Sequence, residues 1–342
     1  MDISSLVREN VKNLTPYSCA RDEFKGSSGI FMDANENPYG KLNRYPDPYQ
    51  KELKKAVSSY KSVPEENIFL GNGSDEIIDL CFRVFCRPGI DRALTFTPTY
   101  GMYEVSASVN DVEVVKVPLT SSFQIDIPGV DPLLSDKNLK LIFICSPNNP
   151  TGNSINYADV EYIVSKSESI VVIDEAYADF SDKPSFIKLL SKYPNLIVMQ
   201  TFSKAFGLAS VRVGMAFTNS LIVQYFNKIK PPYNISTINQ RAALSRISKS
   251  FEVAKEVRKI KSEKEKLVSE ISKLDLSIMI YPSDANFLLV KVKDADKVYN
   301  ELVKMNIITR NRNSLVRNCI RITVGKPAEN RLLVKALKSI RI

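Results

Sequence analysis

Residues 170–177 read Ile-Val-Val-Ile-Asp-Glu-Ala-Tyr, an apolar run that ends in a carboxylate. A run that is apolar at consecutive positions is typical of a strand buried on both faces of a sheet. Further β-rich runs occur at residues 67–70, 93–96, 112–117, 141–145, 196–200 and 211–217, and helical patterns between them at 75–86, 157–165 and 185–192. This alternation predicts an α/β domain with a largely parallel sheet.

A second, smaller domain is predicted after Pro231-Pro232, which interrupts the alternating pattern. A long helical pattern follows over residues 237–274, then strand-like runs at 276–281, 287–292 and 319–324, and helical patterns at 295–305 and 328–340. We read these as an α+β domain. The chain is therefore divided into an N-terminal arm at 1–40, a large domain at 41–232 and a small C-terminal domain at 233–342.

Composition excludes several classes of protein. The 342 residues are 44% hydrophobic and 25% charged, which rules out a disordered chain, a collagen-like fibre and a small disulfide scaffold. The five cysteines, at positions 19, 81, 86, 145 and 319, are odd in number and lack metal-binding spacing, which favours a reducing compartment. No apolar run approaches ~20 residues, and residues 1–10 lack a signal-peptide core. We expect a cytoplasmic protein with no membrane segment.

Charge and histidine content exclude further functions. Lys and Arg exceed Asp and Glu by 47 to 38, but the most basic stretch, residues 249–273, interleaves its lysines with glutamates. Such a pattern is typical of a solvated helix face, so nucleic-acid binding is not expected. The chain contains no histidine, which removes histidine metal sites, histidine bases and Ser-His-Asp triads. No metal site is predicted.

Two turns at predicted strand ends could bind a ligand. Residues 71–76, Gly-Asn-Gly-Ser-Asp-Glu, follow a strand and open a helix, where free N–H groups and the positive end of the helix dipole favour an anion. Residues 146–152, Ser-Pro-Asn-Asn-Pro-Thr-Gly, follow another strand and offer an asparagine amide. An ordinary capped helix start and an ordinary turn are the alternative readings.

Two charged residues also lie at predicted strand ends. Asp174 ends a buried strand, where a carboxylate is costly unless it is paired with a cation. Lys204, in the segment 201–207, follows the next strand, with Arg212 eight residues beyond. A lysine near a core can have a lowered pKa and act as a nucleophile. A helix-capping aspartate and an exposed lysine are the alternatives.

The four motifs together match the needs of pyridoxal 5′-phosphate. This cofactor requires an amine, an acid beside the pyridine nitrogen, donors for the ring phenolate, and N–H groups with an arginine for the phosphate. All four motifs follow strands of one domain, and ligands of α/β sheets bind at the carboxyl ends of strands. The order of the motifs, rather than any one of them, therefore indicates this cofactor.

On these motifs the sequence resembles the fold-type-I pyridoxal-phosphate aminotransferases, and among them the histidinol-phosphate aminotransferase family. The segments that carry the resemblance are 14–17, 33–38, 43–48, 73–76, 98–103, 148–152, 174–177, 203–209, 232–234 and 321–325. It implies a mostly parallel seven-stranded sheet between helices, a smaller α+β domain and a homodimer. It also implies transfer of an amino group between histidinol phosphate and 2-oxoglutarate in histidine biosynthesis. One departure is Ser210, where a glycine is expected.

The resemblance also implies a role for each site residue. Lys204 would form the Schiff base and move the proton, Asp174 would pair with the pyridine nitrogen, and Asn149 and Tyr177 would hold the phenolate oxygen. Tyr100 would stack on the ring. The cofactor phosphate would be held by Ser74, Asp75, Thr201, Ser203 and Arg212, and by Tyr45 of a neighbouring subunit. The substrate would contact Tyr17, Asn35, Arg310 and Arg321.

Several alternatives remain open at this stage. An aromatic or broad-range aminotransferase and a threonine-phosphate decarboxylase-like lyase would share the fold, and a non-catalytic module could retain it. For substrate binding, Arg321 lies in a strand-like run and its planar fork suits both carboxylate and phosphate. Arg310 lies in the polar stretch 309–314 and is favoured as a further phosphate ligand. For Arg312 a solvated loop charge is the favoured reading.

Overall fold

The computed structural model describes residues 2–18 and 29–341. Cys19 and residues 19–28 of the arm expected at 1–40 lie outside the described residues. The start of the arm forms a 3₁₀ helix, Ile3–Leu6, and a short α-helix, Glu9–Lys12. The side chains of Ile3, Val7 and Val11 are buried in one of the two hydrophobic cores of the large domain, so this part of the arm packs against that domain.

The large domain is built on a seven-stranded sheet. Its strands are β1 (Ile68–Gly71), β2 (Arg92–Thr97), β3 (Glu113–Pro118), β4 (Leu139–Cys145), β5 (Ile170–Asp174), β6 (Leu196–Thr201) and β7 (Gly214–Thr218), in the spatial order β1-β7-β6-β5-β4-β2-β3. Strand β7 runs antiparallel to both of its neighbours, and the other pairings are parallel. Every residue of β5 and β6 is buried, as expected of strands covered on both faces. The predicted α/β class and mostly parallel sheet are confirmed.

Helices cover both faces of this sheet and continue into the C-terminal part of the chain. The remaining α-helices are Lys51–Lys61, Ser74–Phe85, Met102–Val109, Ile127–Val130, Tyr157–Lys166, Ser220–Ile229, Thr237–Ile247, Ser250–Ile271, Ala295–Lys304 and Pro327–Ser339. Within the described part of the chain, no helix combines the length and the apolar character that a membrane span requires.

Two helical predictions were wrong in extent. The pattern over 185–192 is only a 3₁₀ helix, Phe186–Leu189. Its side chains Phe186 and Leu189 are both buried, because residues three apart share one face of a 3₁₀ helix. Its first backbone N–H donates to the buried Glu175 carboxylate (2.7 Å), which holds the segment beside β5.

The long helix expected over 237–274 is two helices, Thr237–Ile247 and Ser250–Ile271. Ile247 and Val253 are both buried in the large core. At 3.6 residues per turn, a continuous helix would point side chains six positions apart about 120° away from each other. The break at residues 248–249 therefore allows both side chains to reach the same core.

The small domain contains a four-stranded antiparallel sheet. Its strands are β8 (Ser277–Ile280), β9 (Phe287–Val292), β10 (Arg310–Asn311) and β11 (Cys319–Thr323), in the order β10-β11-β9-β8. The helix Ser250–Ile271 buries Val253 and Val257 in the large core and Leu267 and Ile271 in the small one. This helix thus connects the two domains, and the division at 232/233 stays a prediction.

Close packing of β7 against the turn after β1 positions the anion-binding segment. Gly71 and Gly214 are register partners in the β1–β7 pair. A Cβ atom added at Gly214 would lie 2.5 Å from the carbonyl carbon of Gly73 and 2.5 Å from the nitrogen of Ser74. Because the obstructing atoms are backbone, only glycine allows this approach.

We therefore expect Gly214→Ala to lower the free energy of unfolding by about 1–3 kcal/mol, the usual cost of overpacking. Gly101→Ala is the matched control, because a Cβ atom there meets nothing within 4 Å. The control should change stability by less than about 1 kcal/mol. Urea unfolding of both variants measures the difference, and equal midpoints would contradict the packing argument.

Candidate active site

A cavity of about 410 Å³ lies where β4, β5 and β6 end. The carboxyl ends of parallel strands meet at one edge of a sheet, so residues distant in sequence converge there. Twelve of the fifteen predicted site residues line this cavity: Ser74, Asp75, Tyr100, Asn149, Asp174, Tyr177, Thr201, Ser203, Lys204, Arg212, Arg310 and Arg321. Arg312 and the buried Cys145 also line it.

The other three predicted residues lie elsewhere in this chain. Asn35 and Tyr45 line a separate cavity of about 360 Å³, formed by residues 34–46 and 236–238. The Tyr45 ring stacks on Tyr233 with 4.4 Å between ring centroids. Tyr17 is 70% exposed and lines neither cavity. Within one chain, the structure does not bring these residues to Lys204.

Asp174 is a buried carboxylate at the end of β5, only 4% exposed. Burial raises the pKa of its carboxyl group, and two hydrogen-bond donors oppose this effect. The donors are the hydroxyl of Tyr103 (2.8 Å) and the backbone N–H of Ala176 (3.0 Å). Among the described residues Asp174 makes no ion pair, although the charge of Lys204 also lowers the pKa of its carboxyl group.

Sequence reasoning did not identify Tyr103 as a site residue. It lies in the helix Met102–Val109, is 1% exposed, and stacks on Phe143 with 4.8 Å between ring centroids. In the sequence it is indistinguishable from an aromatic residue of the core. The one available signal is chemical, because a buried tyrosine hydroxyl usually requires a hydrogen-bond partner.

Lys204 lies in the turn that follows β6 and remains accessible from the cavity. Desolvation by the surrounding protein, and then the positive charge of Arg321, lower the pKa of its amine, whereas Asp174 opposes the change. Its neutral form therefore appears at lower pH than that of an ordinary lysine. Its Nζ atom lies 5.6 Å from the centroid of the Tyr177 ring. This amine is suited to nucleophilic attack on a carbonyl carbon.

One part of the cavity lining is suited to an anion. The helix Ser74–Phe85 begins there, after Gly73, whose φ is +79°. Arg212 also has a positive φ (+54°), and its guanidinium donates to the Asp75 carboxylate at 3.0 Å. A Cβ atom at Gly73 would lie 2.6 Å from Nη2 of Arg212. The glycine therefore leaves room for a helix start and a guanidinium beside one ligand.

Polar side chains form a further part of the cavity wall. The hydroxyl of Tyr100 donates to Asp75 (3.3 Å), and burial raises its pKa, so it remains protonated. The amide of Asn149 donates to the Tyr177 hydroxyl at 3.5 Å. The oxygen of the same amide accepts a hydrogen bond from Arg321. Asn149 therefore connects the wall to the small domain.

The part of the lining that the small domain contributes is strongly cationic. Arg310 and Arg321 are directly opposite each other in the β10–β11 register, and Arg312 follows two positions after Arg310. All three line the cavity. The guanidinium of Arg321 lies over the Phe287 ring, 5.2 Å from its centroid. The favoured sequence reading of Arg312 as a solvated loop charge was wrong, because Arg312 is partly buried and lines the cavity.

The residues of this cavity fit pyridoxal phosphate. Asp174 lacks a cationic partner among the described residues, and a protonated pyridine nitrogen would supply one. The start of the helix Ser74–Phe85 and the guanidinium of Arg212 suit the phosphate, and Lys204 lines the same cavity. A sheet that presents these groups at one edge defines a pyridoxal-phosphate-dependent enzyme of fold type I.

Comparison with known proteins agrees with this class. The model of the family described as aminotransferase class I and II matches residues 27–337, and the chain belongs to this family. The histidinol-phosphate aminotransferase of Cytophaga hutchinsonii is 50% identical to the chain, over 98% of the chain and 99% of that protein. The predicted family and cofactor are confirmed.

Solved structures show the same fold. The histidinol-phosphate aminotransferase from Clostridium acetobutylicum has a TM-score of 0.80 and 26% identity, over 87% of this chain and 90% of that one. The enzyme of the same name from Sinorhizobium meliloti was solved in complex with pyridoxal-5′-phosphate. It has a TM-score of 0.79 and 23% identity, over 89% of this chain and 88% of that one.

The hydrogen bond from Tyr103 to Asp174 leads to a prediction about pH dependence. Tyr103→Phe removes a donor to a buried carboxylate, so the pKa of Asp174 should rise further above its ordinary value. Activity should therefore be lost at a higher pH on acidification. We expect the acid limb of the rate profile to move up by about one to two pH units, because a hydrogen bond to a charged group contributes about 1.5–3 kcal/mol.

Tyr193→Phe is the matched control for this change. The Tyr193 hydroxyl also donates to a carboxylate, that of Glu161 (3.0 Å), but it does not line the cavity. Its pH–rate profile should match that of the wild type. An acid limb in Tyr103→Phe that coincides with the control would show that the hydroxyl does not stabilise ionised Asp174.

Proposed function

We propose that this aminotransferase moves an amino group between histidinol phosphate and 2-oxoglutarate, giving imidazole-acetol phosphate and glutamate, in histidine biosynthesis. The observation that carries the proposal is the placement of Arg310 and Arg321 opposite each other at the cavity that also contains Lys204 and Asp174. The full-length, 50% identical relative named histidinol-phosphate aminotransferase supports the same activity.

The cavity residues would divide the binding of the cofactor among them. Asp174 would hold the proton on the pyridine nitrogen, and Asn149 and Tyr177 would donate to the phenolate oxygen. Tyr100 would stack on the ring. The phosphate would be bound by Ser74 and Asp75 through backbone N–H groups, and by Thr201, Ser203 and Arg212. When bound, the cofactor supplies an aromatic ring that accepts electrons from the substrate carbon.

Lys204 would carry the cofactor and transfer the proton. Its lowered pKa makes the free amine available as a base at lower pH than that of an ordinary lysine, and the same group in its protonated form can return the proton. The chain contains no histidine that could replace it. We therefore assign both proton transfers to the Lys204 Nζ atom.

Substrate binding requires one site for two unlike molecules. Glutamate carries an α-carboxylate and a distal carboxylate, whereas histidinol phosphate carries a phosphate and no carboxylate. We propose that Arg321 binds an anionic group of either substrate, because a guanidinium matches both kinds of oxyanion. Arg310 would add donors for the phosphate, and Tyr17 and Asn35 would contact the substrate from the arm.

The proposed activity is tested with glutamate as donor against imidazole-acetol phosphate, phenylpyruvate and 2-oxoadipate. The phosphorylated acceptor should give the highest kcat/KM. Arg310→Ala should weaken binding of the phosphorylated substrate by about 1.5–3 kcal/mol and binding of glutamate much less, whereas Arg321→Ala should impair both half-reactions. Arg317→Ala, at an exposed position of the same loop, is the control.

A preference for phenylpyruvate would instead indicate an aromatic aminotransferase, and release of carbon dioxide from threonine phosphate would indicate a lyase. Equal losses for both substrates in Arg310→Ala would show that the phosphate binds elsewhere.

We further propose that the active enzyme is a homodimer in the cytoplasm. Ile30, Met32 and Tyr39 of the arm are each more than 80% exposed, and such large exposed apolar side chains favour an interface. Asn35 and Tyr45 lie away from the cavity of their own chain. In a dimer, Tyr45 would reach the cofactor phosphate of the partner subunit.

Mixing an inactive variant with an impaired one tests this composite site. Lys204→Ala should abolish turnover, and Tyr45→Phe should weaken cofactor binding because a phosphate ligand is lost. A heterodimer of the two variants would contain one intact site, so activity should return when the subunits are exchanged. Sedimentation of the wild type should give twice the mass of one chain. A monomer at working concentration would exclude the dimer.

A further inference from the structure

Arg312 is placed by the fold of the small domain on the same side of the edge strand as Arg310. Residues two apart in a strand point to the same face. Although β10 itself ends at Asn311, the backbone N–H of Arg312 donates to the carbonyl of Cys319 (2.9 Å), which continues the pairing with β11. Both arginines therefore face the cavity that Arg321 also lines.

The side chain of Arg312 is partly buried and lacks a partner for one of its donors. Its Nε atom is shielded from solvent and makes no hydrogen bond within the described part of the chain. The Nε atom of Arg321 is likewise shielded from solvent and makes no hydrogen bond to the described residues. Other arginines of this protein are neutralised differently, since Arg87 pairs with Asp91 and Arg246 with Glu256.

The three arginines form an uncompensated cluster of charge. No carboxylate of the described residues forms an ion pair with Arg310, Arg312 or Arg321. Burial, and then the positive charges of Arg321 and Arg310, lower the pKa of Arg312 to about 10, so it still carries its charge at neutral pH. Like charges directly opposite each other in a sheet are destabilising. The cluster is therefore incomplete without an anion.

We infer that Arg312 is a specificity-determining residue that binds the phosphate group of the substrate, as a third guanidinium beside Arg310 and Arg321. This inference rests on the proposed function and identifies a further ligand in its substrate site. A phosphate monoester carries close to two negative charges and three acceptor oxygens at neutral pH, whereas a carboxylate carries one charge and two oxygens. A cluster of three arginines therefore favours the phosphate over the carboxylate of glutamate.

The test compares Arg312→Gln, Arg312→Lys and the control Arg317→Gln, each as holoenzyme. Arg317 is exposed, lies in the same loop and does not line the cavity. In Arg312→Gln the KM for histidinol phosphate should rise about tenfold or more, the effect of losing a charge-assisted hydrogen bond, with little change in kcat. The KM for glutamate should change less than about threefold. Arg312→Lys should give an intermediate value, and the control should match the wild type.

Inorganic phosphate and acetate are the probes that separate this inference from the proposed function. Both are used as inhibitors of the reaction with glutamate. Phosphate should inhibit Arg312→Gln about tenfold less strongly than the wild type, whereas inhibition by acetate should be nearly unchanged. The cofactor absorbance and the urea midpoint of each variant show whether it is folded and loaded.

Each outcome decides one of the two proposals. If phosphate inhibition depends on Arg312 but the wild type does not use histidinol phosphate, the anion site is supported and the proposed function fails. In a second outcome, the wild type uses histidinol phosphate while Arg312→Gln keeps the wild-type KM for this substrate and the wild-type inhibition by inorganic phosphate. That result overturns the inference. Equal weakening of inhibition by phosphate and by acetate in Arg312→Gln would also overturn the inference.

Discussion

The burial of the Asp174 carboxylate is the constraint on which the site depends. A carboxylate at the end of a fully buried strand is costly unless a cation and hydrogen-bond donors stabilise its charge. The protein provides the donors, from Tyr103 and from the backbone of residue 176, but the described residues provide no ion pair. The ligand would bring the cation, so binding of a protonated pyridine would offset the free-energy cost of burying the Asp174 carboxylate.

The rest of the cavity can be understood as a separation of charge around this carboxylate. Asp75 and Asp174 lie towards the large domain, whereas Arg310, Arg312 and Arg321 come from the small domain. Charges of both signs act on Lys204, because Arg321 lowers the pKa of its amine and Asp174 raises it. The pKa of the Lys204 amine therefore depends on residues of both domains. The helix Ser250–Ile271, which is buried in both cores, connects the two domains.

Much of the site could be predicted because its residues follow strands. Asp174 and Lys204 each come after a buried apolar run, and parallel topology brings such strand ends together whatever their separation in sequence. Tyr103 and Arg312 escaped prediction for different reasons. Tyr103 lies inside a helix, where its spacing resembles that of a core residue. Arg312 lies in a polar stretch that resembles a loop until its pairing with β11 is known.

The sequence by itself determined the α/β class, the cofactor and most of the residues that line the cavity, because these depend on apolar runs and on side-chain chemistry at their ends. It could not determine where the helix over 237–274 breaks, because that depends on which core each side chain reaches. Only the tertiary structure decided that β7 runs antiparallel against a glycine turn. It alone also showed that part of a polar stretch pairs with β11 and brings Arg310 and Arg312 beside Arg321, since strand pairing joins residues that no local pattern relates.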